Sequence, residues 1–205
     1  MEIVDEACEH DRDQETHYHN NRHAKKGSIS LIMGPMFSGK STEGQRLVRR
    51  ATFASQKCLV VAYEQDKRYT DKPAVVTHDG RALDAVRVLQ LSDVSHKQIA
   101  DNDFIFIDEG QFYPDLADMC DNWANLGKTI VVSALDGDFR RKAFPSVSEL
   151  IPLCETTTKL TAICVNCKDD ASFTHRKGTD TAIKIIGGAD MYVPLCRICY
   201  NKEKI

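Results

Sequence analysis

The fold class of this chain is predicted from the stretch Leu31-Ile-Met-Gly-Pro-Met-Phe-Ser-Gly-Lys-Ser-Thr42. Its Gly34, Gly39, Lys40 and Ser41 match the phosphate-loop pattern G-x-x-x-x-G-K-[ST] at every fixed position. The glycines let the backbone curl so that successive N–H groups can point at phosphate oxygens, and the start of a helix adds partial positive charge. In such a loop the lysine reaches the β- and γ-phosphates, and the serine hydroxyl is a ligand of Mg²⁺.

The segments on both sides of the loop have the composition that this motif requires. Residues 29–33 form a short, mostly apolar run, which predicts a buried strand. Residues 42–50 are compatible with a helix that follows the loop. The strand–loop–helix context therefore predicts a site for a nucleoside triphosphate with Mg²⁺. The predicted binding residues of the loop are consecutive: Gly34, Pro35, Met36, Phe37, Ser38, Gly39, Lys40 and Ser41.

Composition limits the class of protein. The 205 residues suffice for one well-buried domain with a small appendage, and 42% hydrophobic with 28% charged residues is ordinary for a globular chain. The net charge of −3 does not favour a nucleic-acid partner, and no apolar stretch approaches the length of a membrane span. The start of the chain is acidic, unlike a secretory signal. We expect a cytoplasmic protein without membrane or nucleic-acid partners.

A second apolar run, residues 58–63, predicts a parallel strand that is covered on both faces. Asp66 and Arg68 follow soon after its end. Ligands of open α/β sheets bind outside the carboxyl ends of the strands, which would place both side chains near the phosphates or Mg²⁺. An ordinary charged surface loop is the alternative.

The stretch Phe104-Ile-Phe-Ile-Asp108-Glu109 has the Walker-B arrangement, an apolar strand that ends in an acid. In this arrangement the aspartate holds Mg²⁺ directly or through a water molecule. Glu109, beside the γ-phosphate, would be placed to accept a proton from an attacking hydroxyl or water. The alternative is a solvated glutamate at the end of a strand.

The remaining apolar runs complete an alternating pattern. Residues 129–135 predict a strand, and the basic loop that follows contains Phe139 and Phe144, which either stack on a planar ligand or anchor the loop on the core. The segment around His78-Asp79-Gly80 predicts the tip of a hairpin rather than a catalytic pair. The pattern predicts an α/β fold of the P-loop (RecA-like) class, a mostly parallel sheet with helices on both faces.

Two cysteine pairs, C-x-x-C at 164–167 and at 196–199, occur near the end of the chain. Each pair is a turn that points two thiolates at one centre, and two such turns complete a tetrahedral structural zinc site. The 28 residues between Cys167 and Cys196 exceed the usual spacing and suggest either a lid over the site or an ordinary insertion. The predicted zinc ligands are Cys164, Cys167, Cys196 and Cys199, whereas Cys8, Cys58 and Cys154 are expected to be free thiols.

These features predict three regions. Residues 1–27 are polar and histidine-rich, and we expect a disordered tail, with metal binding as the alternative. Residues 28–160 form the predicted P-loop core, and residues 161–205 the predicted small C-terminal zinc-binding domain with its lid loop.

Six motifs occur in a specific order: Gly34-Pro-Met-Phe-Ser-Gly-Lys-Ser41, Asp66-Lys-Arg-Tyr69, Asp108-Glu-Gly-Gln-Phe112, Leu135-Asp-Gly-Asp-Phe139, Lys142-Ala-Phe144 and Gly187-Gly-Ala-Asp-Met-Tyr192. With the four cysteines, they resemble the zinc-containing, cytosolic (type II) thymidine kinase family over residues 28–200. The polar tail lies outside this likeness.

The resemblance implies transfer of the ATP γ-phosphate to the 5′-hydroxyl of deoxythymidine, with deoxyuridine as a second substrate. It implies the catalytic residues Glu109, as general base, Lys40 and Arg68. On the ATP and Mg²⁺ side it adds Asp66, Asp108 and Gln111. It implies a nucleoside pocket of Met36, Phe112, Leu135, Phe139, Phe144, Thr174 and Tyr192, with the base edge read by the backbone of Ile183, Lys184, Ile185, Ile186 and Gly187. It also implies a tetramer that deoxythymidine triphosphate inhibits.

The residues alone leave two other functions open. A P-loop ATP hydrolase that acts on DNA could use the same acidic pair to activate water, although the chain has no obvious basic stripe. A non-enzymatic zinc-binding interaction module is the third possibility, against which the intact Lys40, Ser41, Asp108 and Glu109 argue.

Overall fold

The computed structural model of the chain describes residues 26–66, 74–76, 82–178 and 190–203. Within these ranges the strands are β1 (Ser28–Gly34), β2 (Cys58–Tyr63), β3 (Ala74–Val76), β4 (Ala82–Asp84), β5 (Val86–Val88), β6 (Phe104–Ile107), β7 (Thr129–Leu135), β8 (Thr156–Lys159), β9 (Ala162–Ile163), β10 (Asp170–Ala171), β11 (Phe173–Arg176) and β12 (Tyr192–Leu195). The α-helices are α1 (Lys40–Phe53), α2 (His96–Asp101), α3 (Leu116–Asn125), α4 (Pro145–Leu150) and α5 (Arg197–Lys202). Short 3₁₀ helices occur at Leu91–Asp93, Gly110–Phe112 and Ile151–Leu153.

Six of the strands form one sheet in the order β5-β2-β6-β7-β1-β8, and every described pairing in it is parallel. Strand β7 therefore separates the phosphate-loop strand β1 from the Walker-B strand β6. Because the strands are parallel, their carboxyl ends meet at one edge of the sheet, where Gly34, Tyr63, Ile107 and Leu135 end their strands. The predicted α/β class with a mostly parallel sheet is confirmed.

The alternation of side chains in the strands creates a core on each face of the sheet. Ile105 and Ile107 of β6 belong to the core that α2, α3 and α4 cover, while Phe104 and Phe106 point into the core beneath α1. Gly44 lets α1 approach this second face, since a Cβ at this position would lie 2.2 Å from the Phe106 ring. Helices therefore lie on both faces, as the continuous apolar strands predicted.

In the described C-terminal part of the chain, four short strands pair with one another and not with the large sheet. β9 pairs with β10 and β11 with β12, all antiparallel, and α5 follows β12. A separate buried cluster joins these elements, and its members are Ala162, Cys164, Ala171, Leu195, Cys199 and Tyr200. We call the strands β9 to β12 and helix α5, with the turns that carry the four cysteines, the cysteine unit. The predicted domain boundaries at 28, 160 and 205 stay predictions.

Most of the predicted elements agree with the structure. Strands at 58–63 and 129–135 have the predicted bounds, and β3 pairs antiparallel with β4, as expected for the predicted hairpin. Its tip, with His78 and Asp79, lies outside the described residues, as does the tail through residue 25. Helix α2 was not predicted, although Ser95 and Gln98 form its capping box. In the described part of the chain, no helix has the length and apolar character needed to cross a bilayer.

Candidate active site

The phosphate loop joins the end of β1 to the start of α1. Gly34 and Gly39 adopt φ values of 147° and 85°, which a residue with a side chain rarely takes. The Lys40 ammonium folds back across the loop and donates to the carbonyl of Pro35 at 2.7 Å, and Ser38 Oγ donates to the same carbonyl at 2.8 Å. The predicted residues 34–41 thus form one compact loop at the carboxyl edge of the sheet.

Asp108 lies directly after β6 and connects three elements of the site. Its Oδ1 accepts a hydrogen bond from Ser41 Oγ at 3.1 Å, so the Walker-B acid contacts the last residue of the phosphate loop. Ser133, a polar residue within the apolar strand β7, donates to the same oxygen. Asp108 is buried. A serine hydroxyl and a carboxylate in contact are the ligands that a P-loop site offers to Mg²⁺.

Glu109 follows with its backbone in the left-handed region, at φ 56° and ψ 42°. This conformation is uncommon for a residue other than glycine and is found at functional sites that the surrounding structure holds in place. Gln111, which is buried, donates from Nε2 to Glu109 Oε2 and accepts the N–H of Leu135 at 2.8 Å. Gln111 was predicted on the ATP side, whereas its described hydrogen bonds hold Glu109 and the end of β7.

Aromatic rings pack beside this acidic pair. The Tyr63 ring lies 5.0 Å from Phe112 and, edge-on, 5.6 Å from Tyr113. Tyr113 is fully buried, and among the described residues its hydroxyl has no hydrogen-bond partner. Burial, together with the nearby charges of Asp108 and Glu109, raises the pKa of Tyr113 and keeps the phenol protonated. Tyr113 was not among the predicted site residues, although it directly follows the Asp108–Phe112 motif.

Asp138 organises the loop after β7. Its Oδ1 accepts the N–H groups of Arg140 and Lys142, both at 2.8 Å, and its Oδ2 pairs with the Arg140 guanidinium at 2.9 Å. Burial opposes ionisation, but these hydrogen bonds outweigh it and lower the pKa of Asp138. The ionised carboxylate thus fixes the backbone that carries Phe139.

Phe139 is held from the cysteine unit. The Arg176 guanidinium stacks on the Phe139 ring at 4.0 Å and donates to the Tyr192 hydroxyl, with Nε at 3.1 Å. Tyr200 donates its hydroxyl to the Phe139 carbonyl. Arg176 and Tyr192 are both buried. Two predicted pocket residues, Phe139 and Tyr192, therefore meet through a buried arginine to which the sequence analysis gave no role.

The other predicted pocket residues lie on different elements of the fold. Phe144 packs against the main core, as the anchoring alternative required, and Phe112 packs there as well. Thr174 is buried on β11, and its Oγ1 accepts the Met36 N–H at 3.0 Å. Leu135 is half-buried at the end of β7.

The remaining predicted site residues are one carboxylate after β2 and residues that the structure does not describe. Asp66 is half-buried just after β2, with its N–H bonded to the Tyr63 carbonyl. Arg68 and the segment with Ile183, Lys184, Ile185, Ile186 and Gly187 lie outside the described residues.

The four predicted cysteine ligands converge. Their sulfur atoms all lie within 4.8 Å of one another, and Cys167 Sγ is 3.6 Å from Cys196 Sγ. Four sulfurs at the usual Zn–S distance of 2.3 Å would be about 3.8 Å apart, so the cluster fits a tetrahedral zinc ion. Desolvation opposes the thiolate of Cys164, but the N–H groups of Cys167, Cys196 and Asn166 outweigh it and lower its pKa to about 6. The cysteines are thus positioned to bind a metal ion, consistent with structural zinc.

Comparison with known proteins decides the family. The family model for thymidine kinase matches residues 27–200. The chain belongs to the thymidine kinase family. It is 48% identical over 178 residues to "Thymidine kinase, cytosolic" from Cricetulus griseus, a match that covers 87% of this chain and 75% of that protein. For the Homo sapiens protein of the same name the identity is 47%, with the same coverage. "Thymidine kinase" from Myxoma virus (strain Lausanne) is 51% identical over 175 residues, 85% of this chain and 96% of that protein.

Membership of the thymidine kinase family agrees with the geometry. The matched region contains the phosphate loop, the Asp108-Glu109 pair and all four cysteines. The resemblance stated from six motifs is confirmed, and so is the prediction that the chain is an enzyme of this family.

Proposed function

We propose that the chain transfers the γ-phosphate of ATP to the 5′-hydroxyl of deoxythymidine, and also of deoxyuridine. The observation that carries this proposal is the contact between Asp108 and Ser41. Through it the acidic pair lies beside the phosphate loop, so that Glu109 can face the γ-phosphate. Membership of the thymidine kinase family supports deoxythymidine as the acceptor.

On the donor side, the loop residues 34–41 bind the phosphates of ATP. Lys40 exchanges its contact with Pro35 for the β- and γ-phosphates and stabilises the transferred group, together with Arg68. Ser41, Asp108 and Asp66 hold Mg²⁺, which neutralises phosphate charge when it is bound.

On the acceptor side, Glu109 accepts the proton of the 5′-hydroxyl as the oxygen attacks phosphorus. Phe139 and Tyr192, held through Arg176, supply aromatic surface for a planar base. The other proposed pocket residues are Met36, Phe112, Leu135, Phe144, Thr174 and the backbone of residues 183–187. Positioning and charge neutralisation then account for most of the catalysis.

The remaining properties follow from the family and from the cysteines. We expect one structural zinc ion per chain, held by four thiolates that leave no coordination position for water. From the family resemblance we also propose a homotetramer, inhibition by deoxythymidine triphosphate, a role in nucleotide salvage and a cytoplasmic location. Two of the three relatives named above carry the word cytosolic in their names.

The test is phosphate transfer from Mg·ATP to each of the four common deoxynucleosides and to deoxyuridine, with a control that lacks nucleoside. Product on deoxythymidine and deoxyuridine, with little on the others, would support the proposal. ATP hydrolysis that no nucleoside changes would contradict it and would favour a hydrolase, with DNA as the next addition.

A further inference from the structure

Phe37 is an unusual residue within the phosphate loop. Its φ of 65° lies in the left-handed region, which non-glycine residues enter only when other contacts hold them there. The loop has glycine at 34 and 39, where φ is also positive, but a phenylalanine at this third position. We therefore expect contacts elsewhere in the structure to hold Phe37 in this conformation.

The Phe37 ring has such an anchor in the cysteine unit. The ring is half-buried and packs against the buried cluster that contains Cys164, Cys199 and Tyr200. Cys164 and Cys199 are two of the four predicted metal ligands. The apolar surface that receives the ring is therefore built around the metal site, and its shape depends on the turns that the cysteines close.

Neighbouring residues of the loop contact the same C-terminal region. The Met36 N–H donates to Thr174 Oγ1 on β11 at 3.0 Å. Gly34 lies so close to the Leu160 carbonyl that a Cβ would be 2.4 Å from its oxygen. The first half of the loop is thus supported by Leu160, Thr174 and the cysteine unit, whereas Lys40 and Ser41 already belong to α1.

We propose that Phe37 is a positioning residue, whose ring fixes the phosphate loop on the cysteine unit and so sets the affinity for the phosphates of ATP. The inference rests on the proposed function, because it takes the loop to bind ATP. The Phe37 ring acts by holding the loop backbone, which binds the phosphates, and not by contacting the substrate itself. Metal binding by the four cysteines thus supports nucleotide binding indirectly, because it shapes the surface on which the Phe37 ring packs.

The test compares Phe37→Ala and Phe37→Gly with Phe173→Ala. Phe173, on β11, packs against the same buried cluster and is a matched control, because it covers that cluster without belonging to the phosphate loop. For each zinc-loaded protein, titration calorimetry measures the Kd of a non-hydrolysable ATP analogue with Mg²⁺, and steady-state kinetics give KM for ATP and for deoxythymidine separately. Zinc content is measured on the same samples.

We expect both Phe37 variants to retain zinc and to weaken analogue binding roughly tenfold, with KM for ATP raised and KM for deoxythymidine nearly unchanged. Phe173→Ala should bind the analogue like the parent. Phe37→Gly separates the two roles of the residue, since glycine removes the backbone strain as well as the ring. Parent-like affinity in Phe37→Gly would overturn the inference, as would an equal loss in Phe173→Ala. A parent protein that binds no Mg²⁺–nucleotide would overturn the proposed function as well.

Discussion

The side-chain amide of Gln111 joins Glu109 to the end of strand β7. Its Nε2 donates to Glu109 Oε2, and its Oε1 accepts the Leu135 N–H at 2.8 Å. Because Gln111 is buried and bonded on both sides, it limits the orientations of the Glu109 carboxylate. The backbone of Glu109 is in the left-handed conformation, so both its backbone and the bond from Gln111 constrain the direction of its side chain.

We expect Gln111→Met to lower kcat about tenfold, since a misdirected base loses part of the roughly 10²–10⁴-fold that general-base catalysis contributes. The variant also leaves the Leu135 N–H, at the half-buried end of β7, without its acceptor, which should lower the free energy of unfolding by about 1 kcal/mol. Steady-state kinetics and urea unfolding measure the two effects. Gln98→Met, in the capping box of α2, should reduce stability without reducing kcat.

Glu109→Gln should retain ATP binding and lower kcat by about 10²–10⁴-fold, because an amide cannot accept the proton of the 5′-hydroxyl. Analogue binding by calorimetry and kcat with deoxythymidine are the measurements. Glu149→Gln, at an exposed position of α4, is the matched control and should behave like the parent. Turnover near the parent level in Glu109→Gln would exclude Glu109 as the base.

Asp138→Ala should lower the free energy of unfolding at pH 7 by about 1–3 kcal/mol, because it removes hydrogen bonds to a buried carboxylate. The lowered pKa of Asp138 gives the sign of the pH dependence. Its stabilisation is present above the unfolded pKa of about 3.9 and is lost as the pH falls through the lower folded value. Urea unfolding of parent and variant should therefore differ at pH 7 and converge in acid. A difference that stays constant with pH would assign the effect to packing.

Cys199→Ser should lose bound zinc and melt at a lower temperature, because a hydroxyl is a poor replacement for one of four thiolate ligands. Metal analysis of the purified proteins and thermal unfolding measure this. Cys58→Ser is the control, since Cys58 lies at the start of β2, away from the cluster, and should keep one zinc ion per chain. Full zinc content in Cys199→Ser would contradict the four-cysteine site.

Arg176→Lys should raise KM for deoxythymidine about tenfold while KM for ATP stays near the parent value. The planar guanidinium stacks on Phe139 and donates twice to Tyr192, which an ammonium group cannot reproduce. Arg197→Lys provides the matched change at an exposed arginine, which lies over Phe173 at 4.9 Å. Equal effects of the two substitutions on KM would show that Arg176 does not shape the nucleoside pocket.

Much of the fold was predictable because local patterns and global architecture agree. Continuous apolar strands at 58–63 and 129–135 required cover on both faces, which a parallel sheet with two layers of helices provides. The edge strand β8 was not predicted, because it lacks the apolar run that marks the buried strands. Its four residues, Thr156–Lys159, are all exposed and polar or charged, so no hydrophobic pattern marks them.

The site was predictable only where its residues are adjacent in sequence. The phosphate loop, the Asp108-Glu109 pair and the cysteine turns are local motifs with fixed spacing. Ser133, Tyr113 and Arg176 are not part of such motifs. Ser133 and Arg176 act through partners that lie 25 and 16 residues away in the chain, and Tyr113 is marked only by its burial beside the acidic pair.

Residues that are close together in the chain establish the chemistry available to this protein: a phosphate loop, an acidic pair after a strand, and two C-x-x-C turns that supply four thiolates. These features depend on short-range spacing, which fixes local backbone geometry. Three contacts exist only in the folded chain: Asp108 reaches Ser41 across an intervening strand, Gln111 holds Glu109, and the Phe37 ring packs on the cysteine unit. Such contacts depend on the order of strands in the sheet and on side-chain packing between distant segments, which spacing along the chain does not encode.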